Sequence, residues 1–179
     1  MSTHLELVRA FHQRFGIAQP EYPDTAHLSD MDIVMRQTLL LQCAQETLHA
    51  IVISDMAKML AGLVDLAYNA LAAIACRGDE LVNVNVNWRQ DGSVLSIATV
   101  LSERVHKCSS GETVDYAALY HLCHQLALRF INADFDKAFR TVHQQLMQGV
   151  PQASGHDYAQ RLAQETLPQA PDLTDSLYE

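Results

Sequence analysis

The chain has 179 residues and a formal net charge of −9, from 12 Lys and Arg against 21 Asp and Glu. That length suits one domain with a substantial core, and 49% hydrophobic residues with only 7% aromatic ones favour a helical protein over a β-sandwich or barrel. The acidic balance, without any Lys/Arg cluster, argues against a nucleic-acid partner or an anionic membrane surface.

Apolar residues at helical spacing predict three helices in the first half of the chain. The first covers residues 3–15, and a Pro-containing loop follows it. A long second helix starts at an N-cap formed by Ser29 or Asp30 and runs to the residue before Ser54. Ser54 is the expected N-cap of a third helix over residues 55–76.

One extended segment and three more helices are predicted in the second half. The strict alternation in "LVNVNVNW" predicts an extended insertion near residues 82–90, with no partner strand to make a sheet. Helical spacing then returns over residues 93–107, 113–132 and 134–147. Residues 149–179 are predicted to form a polar, partly disordered tail, with a helical turn or two near 158–164.

Two stretches of the chain resemble each other and suggest a duplicated helical hairpin. Aligning "ETLHAIVISDMAKMLAGLVDLA" with "ERVHKCSSGETVDYAALYHLCHQLA" places Glu46-x-x-His49 on Glu103-x-x-His106. Two such hairpins would pack as an antiparallel four-helix bundle. The expected fold is therefore an all-α antiparallel bundle, in which residues 77–127 are either an insertion or the second hairpin.

Four segments carry a resemblance to a known family. They are "VRAFHQRFG", "MRQTLLLQCAQETLHAI", "MAKMLAGLVDLAYNALAAI" and "FINADFDKAFRTVHQQLM". Their order is similar to that of the all-α NTP pyrophosphohydrolase superfamily, which includes MazG-like proteins and phosphoribosyl-ATP pyrophosphohydrolases. The resemblance covers residues 5–76 and 128–147, and it implies one MazG-like domain over residues 1–148.

In that family the second helix carries an EExxE motif and the third an ExxD motif. Carboxylates one turn apart on facing helices form an oxygen-rich site for Mg²⁺, which also bridges substrate phosphates. The metal then helps a water attack phosphorus, so that a nucleoside triphosphate yields a monophosphate and pyrophosphate. The resemblance thus implies a Mg²⁺-dependent nucleotide pyrophosphohydrolase.

This chain departs from both motifs. The EExxE positions read Gln42, Cys43 and Glu46, and the ExxD positions read Gly62 and Asp65. Only two of five carboxylates remain, so the resemblance implies a degenerate site whose activity is reduced or lost. If hydrolysis survives, Glu46 and Asp65 are the expected catalytic metal ligands, helped by the Gln42 carbonyl.

The same resemblance suggests residues that contact a nucleotide. Arg36, Lys58, Tyr68 and His143 stand at suitable positions. Three of them have an ordinary alternative: Arg36 and Lys58 could be exposed charges, and Tyr68 could be a core residue.

Two other functions remain open at this point. One is a di-metal site for Fe or Mn, built from Glu46, His49, Glu103 and His106 with Asp65 as a third carboxylate. The other is a non-catalytic dimeric protein that senses nucleotides or serves as a scaffold. By resemblance we expect a homodimer or higher homo-oligomer, although a duplicated hairpin would let one chain complete the bundle alone.

The expected compartment is the cytoplasm. The four cysteines stand far apart without a C-x-x-C pair, the chain opens without a signal peptide, and no apolar run reaches the roughly 20 residues of a membrane span.

Overall fold

In a computed structural model, which describes residues 3–21, 24–149, 165 and 169–178, the chain is an all-α helical bundle. The described residues form six α-helices: α1 (His4–Phe15), α2 (Asp30–Val52), α3 (Met56–Arg77), α4 (Val94–Lys107), α5 (Thr113–Leu126) and α6 (Phe135–Met147). They contain no β-strand, only one isolated bridge between Ala133 and Leu177. The predicted all-α class is confirmed.

Side-chain caps explain where five of the six described α-helices begin. The Ser29 side chain accepts a hydrogen bond from the Asp32 backbone amide and so caps α2, as the sequence predicted. At α3 the cap is Asp55, which accepts from the Lys58 amide, and the predicted cap Ser54 is wrong. Ser54 instead adopts a left-handed conformation with φ 57°, because it lies in the tight turn between two antiparallel helices.

Helices α2, α3, α5 and α4 form a closed ring of neighbours, each packed against the next. The Gln37 side chain on α2 donates to the Val105 carbonyl near the end of α4, at 3.0 Å. At the end of α3, Arg77 donates to the Gly111 carbonyl just before α5, at 2.8 Å. Both contacts join the beginning of one helix to the end of its neighbour, so the bundle is antiparallel and one chain completes it.

Helix α3 is the centre of the molecule, since it packs against α1, α2, α5 and α6. It is long and apolar enough to cross a membrane, with an 18-residue window of mean hydropathy 1.7. However, 89% of that window is buried within the protein. A central helix that is buried in a bundle has the same length and apolar composition, so these two properties do not distinguish α3 from a membrane span.

The connection between α3 and α4, residues 78–93, has no regular secondary structure apart from turns and bends. It has to be long because α3 and α4 lie diagonally across the bundle and run in the same direction. Val86 is buried, and the Trp88 indole donates to Gln125 on α5 at 3.2 Å. The segment predicted as an extended insertion near 82–90 is thus a crossover that runs along α5.

Beyond α5 the helix continues as a π-helical turn over Ala127–Ile131, close to the predicted end at residue 132. Residues 169–178 lie against the start of α6: the Asp134 amide donates to the Ser176 carbonyl at 2.7 Å, and Leu173 is buried. The helical turn predicted near 158–164 lies outside the described residues.

Candidate functional site

A groove between α2 and α3 brings together the residues that the sequence singled out. Its inner part is a cavity of about 340 Å³, lined by residues that include Gln42, Glu46, Asp65 and Tyr68. Its outer part, about 500 Å³, shares the first three of these and adds His49 and Lys58. The predicted catalytic pair and the predicted Gln ligand therefore face one space.

Gln42 and Glu46 lie one turn apart on α2, as the motif spacing requires. The Gln42 amide donates to Glu46 Oε1 at 3.3 Å, and both side chains are exposed. This bond turns the amide nitrogen toward Glu46. The side-chain oxygen of Gln42 could still coordinate a metal, but it carries no charge to offset the dehydration of Mg²⁺.

Asp65 faces this pair from α3 and is partly buried. Burial, and secondarily the negative charge of Glu46, raise the pKa of the Asp65 carboxyl to about 7. Near neutral pH this carboxyl is therefore protonated in a large fraction of molecules. A protonated acid is a poor ligand for a hard cation, so near neutral pH a bound Mg²⁺ would have to displace this proton.

Gly62 stands where the family motif carries a glutamate, and the structure explains the glycine. A Cβ built at Gly62 would lie 2.1 Å from Thr47 Oγ1 and 3.0 Å from Thr47 Cβ. The two helices approach so closely here that no side chain fits between them. The absence of a carboxylate at position 62 thus removes a ligand and also allows α2 and α3 to pack closely.

Cys43 occupies another position at which the resembled family carries a glutamate, and it supplies no negative charge there. Burial raises the pKa of the Cys43 thiol far above its usual range, so the neutral thiol persists. Its sulfur accepts a long hydrogen bond of 3.7 Å from the Asn69 amide, which also donates to the Asp65 carbonyl. Across the described ranges, no three His, Cys, Asp or Glu side chains come close enough to hold one ion.

The donor set therefore does not fit a tightly bound Mg²⁺. Two carboxylates remain, one of them with a pKa raised to about 7, together with one amide. Magnesium normally keeps several waters and relies on the charge of its carboxylates and of substrate phosphates.

The alternative di-metal site does not assemble in the described part of the chain. Glu46 and His49 lie on α2, Glu103 and His106 lie on α4, and all four side chains are exposed. The four belong to no metal-binding group. A buried carboxylate-histidine site for Fe or Mn would need all of them to point into the bundle core.

Arg36 is fully buried, so the interpretation of this residue as an exposed charge is wrong. Its Nη1 donates to Glu165 Oε1 at 2.9 Å, and its Nη2 lies 3.2 Å from Cys76 Sγ. Glu165 is itself buried and also lines the inner cavity of the groove. Sequence reasoning missed Glu165, because it lies 129 residues from Arg36 in a segment predicted to be a polar tail.

The other predicted nucleotide contacts have partners of their own. Tyr68 lines the inner cavity, but its hydroxyl hydrogen-bonds His143 Nδ1 at 3.0 Å and both residues are buried. Burial lowers the pKa of His143, which keeps the imidazole neutral in this contact. Lys58 lies at the outer end of the groove, largely exposed and 3.2 Å from Asp55 Oδ2. Of the four, Lys58 is the one that could most readily turn toward a ligand.

Comparison of the chain with protein-family models, curated proteins and solved structures gave no significant match.

Proposed function

We propose that this chain is a MazG-like member of the NTP pyrophosphohydrolase superfamily in which the conversion of NTP to NMP and pyrophosphate is reduced or lost. The main support is the contact between Gly62 and Thr47, which leaves no room for a carboxylate side chain at position 62 of the groove. The raised pKa of Asp65 adds to this, because it lowers the ionised fraction of one of the two remaining carboxyl groups near neutral pH. Such a chain would function in the cytoplasm, where its free cysteines stay reduced.

The groove remains available to a nucleotide under this proposal. Its inner and outer parts offer about 340 and 500 Å³, within the usual range for small-molecule sites. Gln42 and Asn69 supply amides that can pair with a base edge, and Lys58 supplies a positive charge at the outer end. Weak binding of a nucleotide with little turnover is the expected behaviour.

Pyrophosphate release and thermal shift together test the proposal. The wild-type chain, Glu46→Ala and the control Glu103→Ala would be assayed with each NTP, with and without Mg²⁺ or Mn²⁺. We expect slow or undetectable release by all three, and a nucleotide-dependent rise in Tm that Glu46→Ala changes and Glu103→Ala does not. Rapid Mg²⁺-dependent release that only Glu46→Ala abolishes would show that the hydrolase chemistry is intact.

A second candidate, a dimeric scaffold, is favoured by the outer face of α2. Four apolar side chains on that face are 55% or more exposed: Met31, Val34, Leu41 and Val52. Their separations of 3, 7 and 11 residues are sums of the three- and four-residue steps that keep side chains on one helix face. Such a stripe is the pattern by which one helix packs along another. A second copy of the chain is the proposed occupant. Absence of any nucleotide-dependent shift in Tm would leave this candidate as the better one.

A further inference from the structure

The Arg36–Glu165 pair is unusual in its position. Both side chains are almost completely buried, at 0% and 4% exposure, and they join α2 to a residue near the end of the chain. Taking two charges out of water is costly, so a buried pair needs further hydrogen bonds to compensate. Here that compensation is incomplete, since Arg36 Nε and Glu165 Oε2 have no hydrogen-bond partner among the described residues.

The guanidinium of Arg36 uses its donors poorly. An arginine presents five N–H groups in a planar fork suited to two oxygens at once. Among the described residues its acceptors are a single oxygen of Glu165 and the weakly accepting sulfur of Cys76. A group with three oxygens, such as a phosphate, would satisfy more of these donors than one carboxylate oxygen does.

Glu165 also separates this guanidinium from the groove. Its side chain pairs with Arg36 and at the same time lines the inner cavity beside Gln42, Glu46 and Asp65. If the Glu165 side chain withdraws, the 340 Å³ cavity gains direct access to Arg36. The groove would then hold one fully buried positive charge opposite its acidic wall.

We propose that Arg36 is a phosphate-binding group of the groove and that the Glu165 carboxylate occupies the position of that phosphate. The inference rests on the proposed nucleotide-binding role of the groove and identifies how that binding is restrained. A phosphorylated ligand has to displace Glu165 before it reaches Arg36. The wild-type chain therefore binds phosphates weakly, and loss of the Glu165 charge strengthens the binding.

Inorganic pyrophosphate is the probe, compared with NaCl at equal ionic strength in the full-length chain. Glu165→Ala leaves Arg36 buried without a counter-charge, so its Tm should fall by roughly 10 °C. Pyrophosphate should recover most of that fall and raise the wild-type Tm much less. The matched control is Glu80→Ala, which breaks a 3.0 Å pair with Arg9 in which Glu80 is 64% exposed. It should show neither the loss nor the recovery.

Two further variants test whether Arg36 is the binding group. Glu165→Gln keeps the size of the side chain and should bind pyrophosphate about tenfold or more tightly than wild type in titration calorimetry. The double variant Arg36→Met/Glu165→Leu replaces the pair by apolar groups and should fold without any pyrophosphate effect beyond that of NaCl. Equal pyrophosphate affinity of wild type and Glu165→Gln, or an unchanged effect in the double variant, would overturn the inference. Pyrophosphate binding without any response to nucleotides would instead count against the proposed function alone.

Discussion

Asp65 is the residue whose protonation most affects the groove. Burial and the charge of Glu46 raise its pKa to about 7 in the folded chain, from 3.8 when it is exposed. The folded chain thus holds this proton more tightly than the unfolded chain does. Protonation of Asp65 therefore stabilises the folded chain most below pH 4. This stabilisation declines as the pH rises from about 4 to 7 and stays low above that.

Asp65→Asn should remove this decline. The free energy of unfolding of the variant minus that of wild type should increase by about 2–3 kcal/mol from pH 5 to pH 8. Urea denaturation of both proteins at the two pH values measures it, because contributions from other groups cancel in the difference. Glu46→Gln, which removes only the smaller cause of the shift, should reproduce part of the effect. A difference between variant and wild type that does not change with pH would contradict the assignment.

Buried residues such as Arg36 show where sequence reasoning at the residue scale ends. Its position next to the motif could be read from the sequence, but its burial could not, because the compensating carboxylate comes from Glu165. Gly62 is similar, since a missing glutamate in the motif does not reveal that Thr47 fills the space. The groove residues Gln42, Glu46 and Asp65 were predicted through the resemblance, whose motif positions lie on two facing helices, and the structure places all three on one groove.

At the scale of helices, predictions succeeded where the signals were local. The bounds of α2, α4 and α6 follow from caps and apolar spacing within each segment. The bundle topology depends on which helices meet, and α4 with α5 completes it from residues 94–126. The sequence left that region open between an insertion and a second hairpin, because pairwise packing is not encoded in the spacing of one helix.

The crossing of α2 and α3 at Gly62 gives a prediction at this scale. Gly62→Ala should gain about 1 kcal/mol in helix propensity yet lose about 1–3 kcal/mol from overpacking against Thr47, which leaves a net destabilisation of up to about 2 kcal/mol. In the background of Thr47→Ala, which removes the nearest atom Oγ1 but keeps Cβ at 3.0 Å, the same substitution should be clearly less destabilising. Urea midpoints of the two single variants and the double variant measure the coupling. Additive effects would show that the helices do not meet at these two residues.

At the scale of the whole molecule, the arrangement of the bundle bears on assembly. One chain supplies all four helices of the ring, so a second copy is not needed to complete the core. Self-association must then use an outer surface, and the apolar stripe on α2 is the candidate. Its Thr38, Gln45 and Leu48 continue the same spacing between the apolar residues, so the face runs along most of the helix.

We therefore expect a dimer that a single charge on this stripe dissociates. Leu41 on α2 is 55% exposed and Val114 on α5 is 53% exposed, which makes them a matched pair. Across a two-fold axis Leu41→Glu places two negative charges in one interface, whereas Val114→Glu adds the same charge elsewhere. Light scattering coupled to size exclusion should give a dimer for wild type and Val114→Glu, and a monomer for Leu41→Glu with unchanged helical content. A monomeric wild type, or equal dissociation of both variants, would exclude α2 as the interface.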